Sequence, residues 1–347
     1  MRDRIIFVVF LAFMFTVIGP LGTAFSQQKI VIKFHDVSPP NKIAGTAPVV
    51  WWMDEVEKRT QGRVKFDRVF GATLGGWADQ LENIRTGIFE VGDVAMPYHP
   101  NKTPVGTVAE FPFITNNTAA LSQAMTDLCR HPAFIEEGKK NNQFFLFSTS
   151  ADPFNVISKV PIQKIEDFKG LTIRASGVFS TAWKLIGATP THIASTELFS
   201  ALEKGIVKAA LVPYTVVVDY GLLDVIKYAT DVGGMGIISY MVSINLDKWN
   251  KIPADIQKIM LELGEEVPEK TGQMIDAALK ESIVKFKQKG ITLYELSKAD
   301  KEKLRKVGGE PLWDAWEKDM NSKGLPGTEI KKLFVEKVRK YEKEIKY

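Results

Sequence analysis

Gly170-Leu171-Thr172-Ile173-Arg174-Ala175-Ser176-Gly177 reads as a short apolar strand that carries one arginine into a small-residue loop. A turn signal, Lys164-Ile165-Glu166-Asp167-Phe168-Lys169, leads into it, and helical spacing from about Phe179 to Ile186 follows. An arginine in that setting suits a carboxylate, because its planar fork offers two parallel charge-assisted hydrogen bonds and stays ionised at any ordinary pH. The plainer reading of Arg174 is a surface strand arginine or an ion pair between domains. The remainder of the chain decides between them.

Upstream, Lys29 to Phe34 alternates as a strand and ends at His35-Asp36 and a Pro-Pro turn. A helix through Val49, Val50, Met53, Val56 and Glu57 closes at Gly62. Next come a strand (Arg63 to Val69), a glycine-rich loop (Gly71 to Gly76), a helix from Trp77 to about Thr86, and a third strand (Val91 to Met96). Helical periodicity returns from Asn117 to Lys140, and Phe144 to Ser148 and Asn155 to Lys159 read as strands. Downstream of Arg174 the pattern gives a helix capped near Ser195 or Thr196, a strand from Val207 to Val212, another from Ile237 to Ile244, and a long helix opened by Pro253. Pro268 lies inside that helix and is expected to kink it. Alternating strands and helices on short loops predict an α/β fold of parallel βαβ units, whose ligands sit beyond the carboxyl ends of strands.

The chain has 347 residues, enough for two lobes, and its 45% hydrophobic and 25% charged residues are those of a folded globular protein. A net charge of +4, without a basic run interleaved with aromatics, argues against a nucleic-acid partner. At the N-terminus, Arg2 and Arg4 precede an apolar run from Ile5 to Ile18, broken by Gly19-Pro20 and followed by small residues up to Ser26. That is the layout of a secretory signal peptide over residues 1–26, cleaved after Ala24 or Ser26. The run is short for a membrane span, so a soluble, exported, periplasmic protein is expected. The single cysteine, Cys129, sits at helical spacing and reads as a buried small hydrophobe.

Catalytic signatures are absent. The four histidines (His35, His99, His131, His192) show no zinc-ligand spacing, so neither a metal nor another cofactor is expected. There is no nucleophile elbow and no phosphate-binding Gly-Lys-Ser/Thr loop, and Gly233-Gly234-Met235-Gly236 lacks the helix a dinucleotide site needs.

Several segments in a fixed order resemble one family. They include Val56-Glu57-Lys58-Arg59-Thr60-Gln61-Gly62-Arg63-Val64, Phe70-Gly71-Ala72-Thr73-Leu74-Gly75, Thr86-Gly87-Ile88-Phe89-Glu90-Val91 and Glu110-Phe111-Pro112-Phe113. Asp167 to Arg174, Leu185-Ile186-Gly187-Ala188-Thr189-Pro190, Ala201 to Val207 and Ile252 to Gln257 continue the series. Together these are similar to the solute-binding component of tripartite ATP-independent periplasmic (TRAP) transporters, of the dicarboxylate-binding type. The resemblance implies a two-lobe binding protein with a hinge and a long helix spanning both lobes. It implies no enzymatic activity, TRAP membrane permease subunits as partners, and Arg174 on the ligand carboxylate. Lobe I is expected from residues 27–151 plus about 238–270, and lobe II from 152–237 plus about 271–347. A monomer is expected, with a dimer as the alternative.

Departures from the family pattern shape the expected ligand. Where some relatives carry a second arginine, this chain has Asp152-Pro153-Phe154, and Trp77 occupies a loop position often polar in sugar-acid binders. One carboxylate held by Arg174 and a largely apolar remainder follow: an aromatic or branched monocarboxylate or 2-oxo acid. Tyr98 and Tyr214, each at a strand end, are expected to offer a hydroxyl. Trp77 stacks on the ligand or packs a lobe, and His35 donates to the ligand or serves the structure. Met96 is expected on the pocket floor, with Phe154 and Phe179 as wall residues. Two other classes stay open, an exported enzyme acting on an organic acid and a ligand-sensing partner of a membrane receptor.

Overall fold

Alternation drives the first sheet: along β1 (Ile30–Asp36) the side chains of Ile32 and Phe34 are fully buried while Val31 is exposed. The computed structural model describes residues 29–38, 46–193 and 197–345. The expected signal peptide, the Pro-Pro turn after Asp36 and the helix cap near Ser195 lie outside the described residues. After β1 come α1 (Thr46–Arg59), β2 (Val64–Phe70), α2 (Gln80–Thr86), β3 (Val91–Ala95), α3 (Thr118–Leu128), α4 (Pro132–Lys140) and β4 (Gln143–Ser150). The chain then crosses to a second sheet through β5 (Phe154–Ser158), β6 (Thr172–Arg174), α5 (Gly177–Ile186), β7 (Thr189–Thr191), α6 (Leu198–Glu203), β8 (Ala209–Pro213), α7 (Tyr214–Asp219) and β9 (Tyr228–Asp231). It returns as β10 (Ser239–Asn245), α8 (Leu246–Trp249) and α9 (Ala254–Gln288), and ends with β11 (Thr292–Glu295), α10 (Lys298–Leu304), α11 (Glu310–Ser322) and α12 (Gly327–Glu344).

Lobe I holds the sheet β2-β1-β3-β10-β4 and lobe II the sheet β11-β9-β5-β8-β6-β7. Both are mixed, which corrects the expectation of parallel units throughout. β1 pairs in parallel with β2 and β3, but β10 is antiparallel to β3 and β4, and β5 is antiparallel to β8 and β9. A strand arriving from the other lobe enters from the opposite end, so β5 and β10 run against the strands that receive them.

The 35-residue α9 passes unbroken through Pro268. Its first half buries Ile256, Met260, Leu263 and Val267 in the core beneath α1, and its last turn sends Phe286 into the core beneath α7. The terminal helices depart from expectation. Trp313 of α11 and Ile330, Phe334 and Val338 of α12 lie in the lobe I core with α3, so not everything after residue 271 belongs to lobe II. Cys129 is buried against the Met241 sulfur at 3.2 Å, and burial pushes its thiol up to about 12.

Two strands bridge the lobes side by side: Ala151 N donates to Ile238 O (2.9 Å), Phe154 N to Gly236 O (2.7 Å) and Met235 N to Phe154 O (3.1 Å). A strap from lobe I is bolted onto this crossing. Phe113 takes a positive φ of 58°, donates its N–H to Met235 O and buries its ring in the lobe II core. Two residues earlier, Phe111 stacks on Trp313 (5.5 Å between centroids) in the lobe I core. The strap thus has one ring in each lobe.

Glu110 begins this strap, and its Oε1 is buried without a hydrogen-bond partner among the described residues. Burial pushes its carboxyl up to about 7 from 4.5. Glu137, buried under the N–H groups of Val105 and Gly106, is raised alike. A folded-state pKa above the unfolded value stabilises fully below about 4.5, and that contribution, up to about 3 kcal/mol, is lost as pH rises through 7. Thermal melts of Glu110→Gln should therefore show a shallower fall in Tm between about pH 5 and about pH 8 than the unmutated protein; an identical profile would contradict the assignment.

Candidate functional site

Arg174 is the last residue of β6, in register with Thr191 of β7 and Ala210 of β8. Its side chain reaches along the strand ends, with Nε donating to Ile193 O at 3.0 Å and Nη1 to Leu211 O at 3.3 Å. These carbonyls help fix the plane of the fork. Burial lowers the guanidinium pKa, and the Tyr98 side chain acts in the opposite direction. Tyr98 belongs to lobe I, in the 3-10 turn after β3, and is 53% exposed. The two side chains, one on each lobe, are thus near enough for their charges to interact.

Trp77 lies in a turn ahead of α2 rather than in the helix itself. The turn is stapled to the helix: Gly76 N donates to Asp79 Oδ2 (2.8 Å) and Asn83 Nδ2 to Leu74 O (2.7 Å). Gly75 has φ 121°, and a Cβ there would meet Asn83 Nδ2 at 2.8 Å, so glycine is required. The half-buried indole rests on the Tyr240 ring, 5.1 Å between centroids. Tyr240, the second residue of β10, lies opposite Ala95 and Thr149 and stands with Trp77 and Tyr98 on the lobe I side. The sequence reading missed it; its one signal was an aromatic near the start of a strand that follows a glycine-rich crossing.

Five expected site residues are spent elsewhere or on the hinge. His35 is fully buried, with Nε2 donating to Gly71 O (2.9 Å), Nδ1 accepting from Gln80 Nε2 (2.8 Å) and the ring beside Phe89. Both ring nitrogens are used, so His35 belongs to the structure. Met96 is buried in the lobe I core and is not a pocket floor. Tyr214 packs on Phe286 (5.0 Å) and lines a separate hollow of about 410 Å³ with Asn155 and Asp231. Phe154 and Phe179 meet edge-to-face at 5.5 Å, and Phe179 presses on the crossing strand so closely that a Cβ on Gly236 would lie 2.3 Å from its ring. Asp152, where a second arginine was sought, accepts from Thr215 N and Oγ1.

Among the described residues no group of three or more His, Cys, Asp or Glu is placed to hold a metal ion, and no helix is long and apolar enough to cross a membrane.

Comparison with known proteins follows from this geometry. The sequence profile of DctP, bacterial extracellular solute-binding protein, family 7, matches residues 34–319. The chain belongs to this family. A TRAP periplasmic solute-binding protein from Desulfovibrio salexigens, solved in an open form, is similar at 29% identity with a TM-score of 0.83, covering 92% of this chain and 98% of that one. A TRAP solute-binding protein from Rhodoferax ferrireducens, solved with copurified benzoate, shares the fold at 22% identity and a TM-score of 0.78, covering 91% and 99%. The C4-dicarboxylate-binding periplasmic protein DctP of Rhodobacter capsulatus is 25% identical over 66% of this chain and 69% of its own. This family 7 chain is thus a two-lobe solute-binding protein of the TRAP type.

Replacing His35 with alanine removes two buried hydrogen bonds and leaves Gln80 unpaired, so urea unfolding should show a loss of about 2–3 kcal/mol. Intact stability with lost ligand affinity would return His35 to the site.

Proposed function

We propose that this solute-binding protein captures an organic acid through one carboxylate on Arg174 and packs the acid's aromatic or branched remainder on Trp77 and Tyr98. The loaded, closed form is then handed to TRAP membrane permease subunits. A carboxylate leaving water needs a fixed positive partner, and the fork of Arg174, oriented at the strand ends by the carbonyls of Ile193 and Leu211, is the observation that carries this reading. Closure follows because a ligand touching both walls stabilises the state in which they meet. Asp152 in place of a second arginine favours a monocarboxylate, a 2-oxo acid included, over a dicarboxylate of the kind the Rhodobacter relative's name records. The benzoate of the Rhodoferax protein is a ligand of this class. Export to the periplasm as a monomer, without catalytic turnover, completes the reading.

Calorimetric titration of purified protein with benzoate, branched 2-oxo acids, malate and succinate tests it. Arg174→Ala should keep its circular dichroism spectrum and lose about 3 kcal/mol of affinity, more than 100-fold, for whichever acid binds best. An unchanged Kd, or tighter binding of malate or succinate than of every monocarboxylate, would overturn the reading.

A further inference from the structure

Strand register assembles a polar row at the cleft end of the lobe I sheet. β1 pairs with β3 through Phe34 with Val91 and His35 with Gly92, so the next residues along are Asp36 and Asp93. On the other side of β3, Val242 lies opposite Asp93 and Tyr240 opposite Ala95, and Tyr240 faces Thr149 of β4. Asp36 and Asp93 are 1% and 3% exposed, and burial first, then the neighbouring Asp36 carboxylate, pushes the Asp93 carboxyl well above its ordinary range. Asp36 accepts from Ser38 N (2.7 Å) and Thr46 Oγ1 (2.8 Å), whereas Asp93 Oδ1 and Thr149 Oγ1 are buried without partners among the described residues. Asp152 stands at the end of the same row, also buried.

Tyr240 is the member of this row that is not fully enclosed. It is half-buried, its ring rests on Trp77, and its hydroxyl has no hydrogen-bond partner among the described residues. The groups acting on it most strongly are Asp36, Asp93, Tyr98 and Asp152, none of them a cation; together with burial they hold the phenol well above its ordinary pKa, so it remains a donor. The cation of the site, Arg174, is on the other lobe.

We infer that Tyr240 is the specificity-determining residue of lobe I: its hydroxyl pairs with a neutral hydroxyl or oxo substituent on the acid, and the carboxyls behind it refuse a second carboxylate. This rests on the reading of Arg174 as the carboxylate partner. A substituent that accepts from Tyr240 satisfies a donor that closure would otherwise strand, while an anionic substituent would be buried beside acidic groups with no counter-ion among the described residues acting on Tyr240. Discrimination thus comes from one polar contact and one repulsion, and the apolar faces of Trp77 and Tyr98 treat ring-bearing acids alike.

Benzoate, 3-hydroxybenzoate and isophthalate differ at one ring position, carrying hydrogen, hydroxyl and carboxylate. Calorimetry on the full protein should find 3-hydroxybenzoate about tenfold tighter than benzoate, and isophthalate at least about tenfold weaker. In Tyr240→Phe, checked for an unchanged Tm, the ratio of the benzoate and 3-hydroxybenzoate Kd values should fall to about one. A ratio preserved in the variant, or isophthalate bound as tightly as benzoate, would overturn this inference and leave the Arg174 reading standing. Binding of none of the three acids would also overturn this inference, and the Arg174 reading would then turn on the branched 2-oxo acids.

Discussion

A guanidinium whose plane is set by two backbone carbonyls, Ile193 O and Leu211 O, is the constraint on which the molecule's working depends. Those bonds hold a cation at the end of a three-residue strand, partly withdrawn from water, in an orientation set by backbone acceptors. An orienting bond of this kind spares the ligand the cost of ordering a long side chain. It also explains the shortness of β6: one further strand residue would carry Arg174 away from the loop of Ile193.

The second lobe brings a wall to that cation. Trp77 is held over Tyr240 by a turn braced from α2, and Tyr98 follows directly on β3. The connection between walls is both tight and pliable. Gly234 has φ 70° and a Cβ there would fall 2.7 Å from Asn116, while Gly236 leaves room for Phe179. Larger residues would wedge the crossing strand away from both lobes. Phe111 and Phe113 are planted in opposite cores and α9 runs through both, so the lobes are joined at several points around this crossing.

Much of the architecture was legible because periodicity reports local burial. The long amphipathic run of α9, the β6–α5 unit around Arg174 and the buried Cys129 all follow from residue spacing. Side-chain direction at strand ends was not legible. His35, Met96, Tyr98 and Tyr214 occupy equivalent sequence positions, yet only Tyr98 stays exposed, because the choice depends on which neighbour supplies a socket: Gly71 and Gln80 for His35, Phe286 for Tyr214. Tyr240 and the Asp36–Asp93 pair escaped for a related reason. Their meeting is created by pairing between β1, β3 and β10, strands far apart in the chain. The return of α11 and α12 to lobe I likewise leaves no mark on spacing, since an apolar helix face does not say which core receives it.

The most direct measurement is a crystal structure of the protein with a bound aryl monocarboxylate such as benzoate. The account requires the ligand carboxylate about 2.8 Å from the Arg174 guanidinium, with Trp77 and Tyr98 closed over the ring from the opposite lobe. A ligand seated with its carboxylate away from Arg174, or touching one lobe alone, would contradict it.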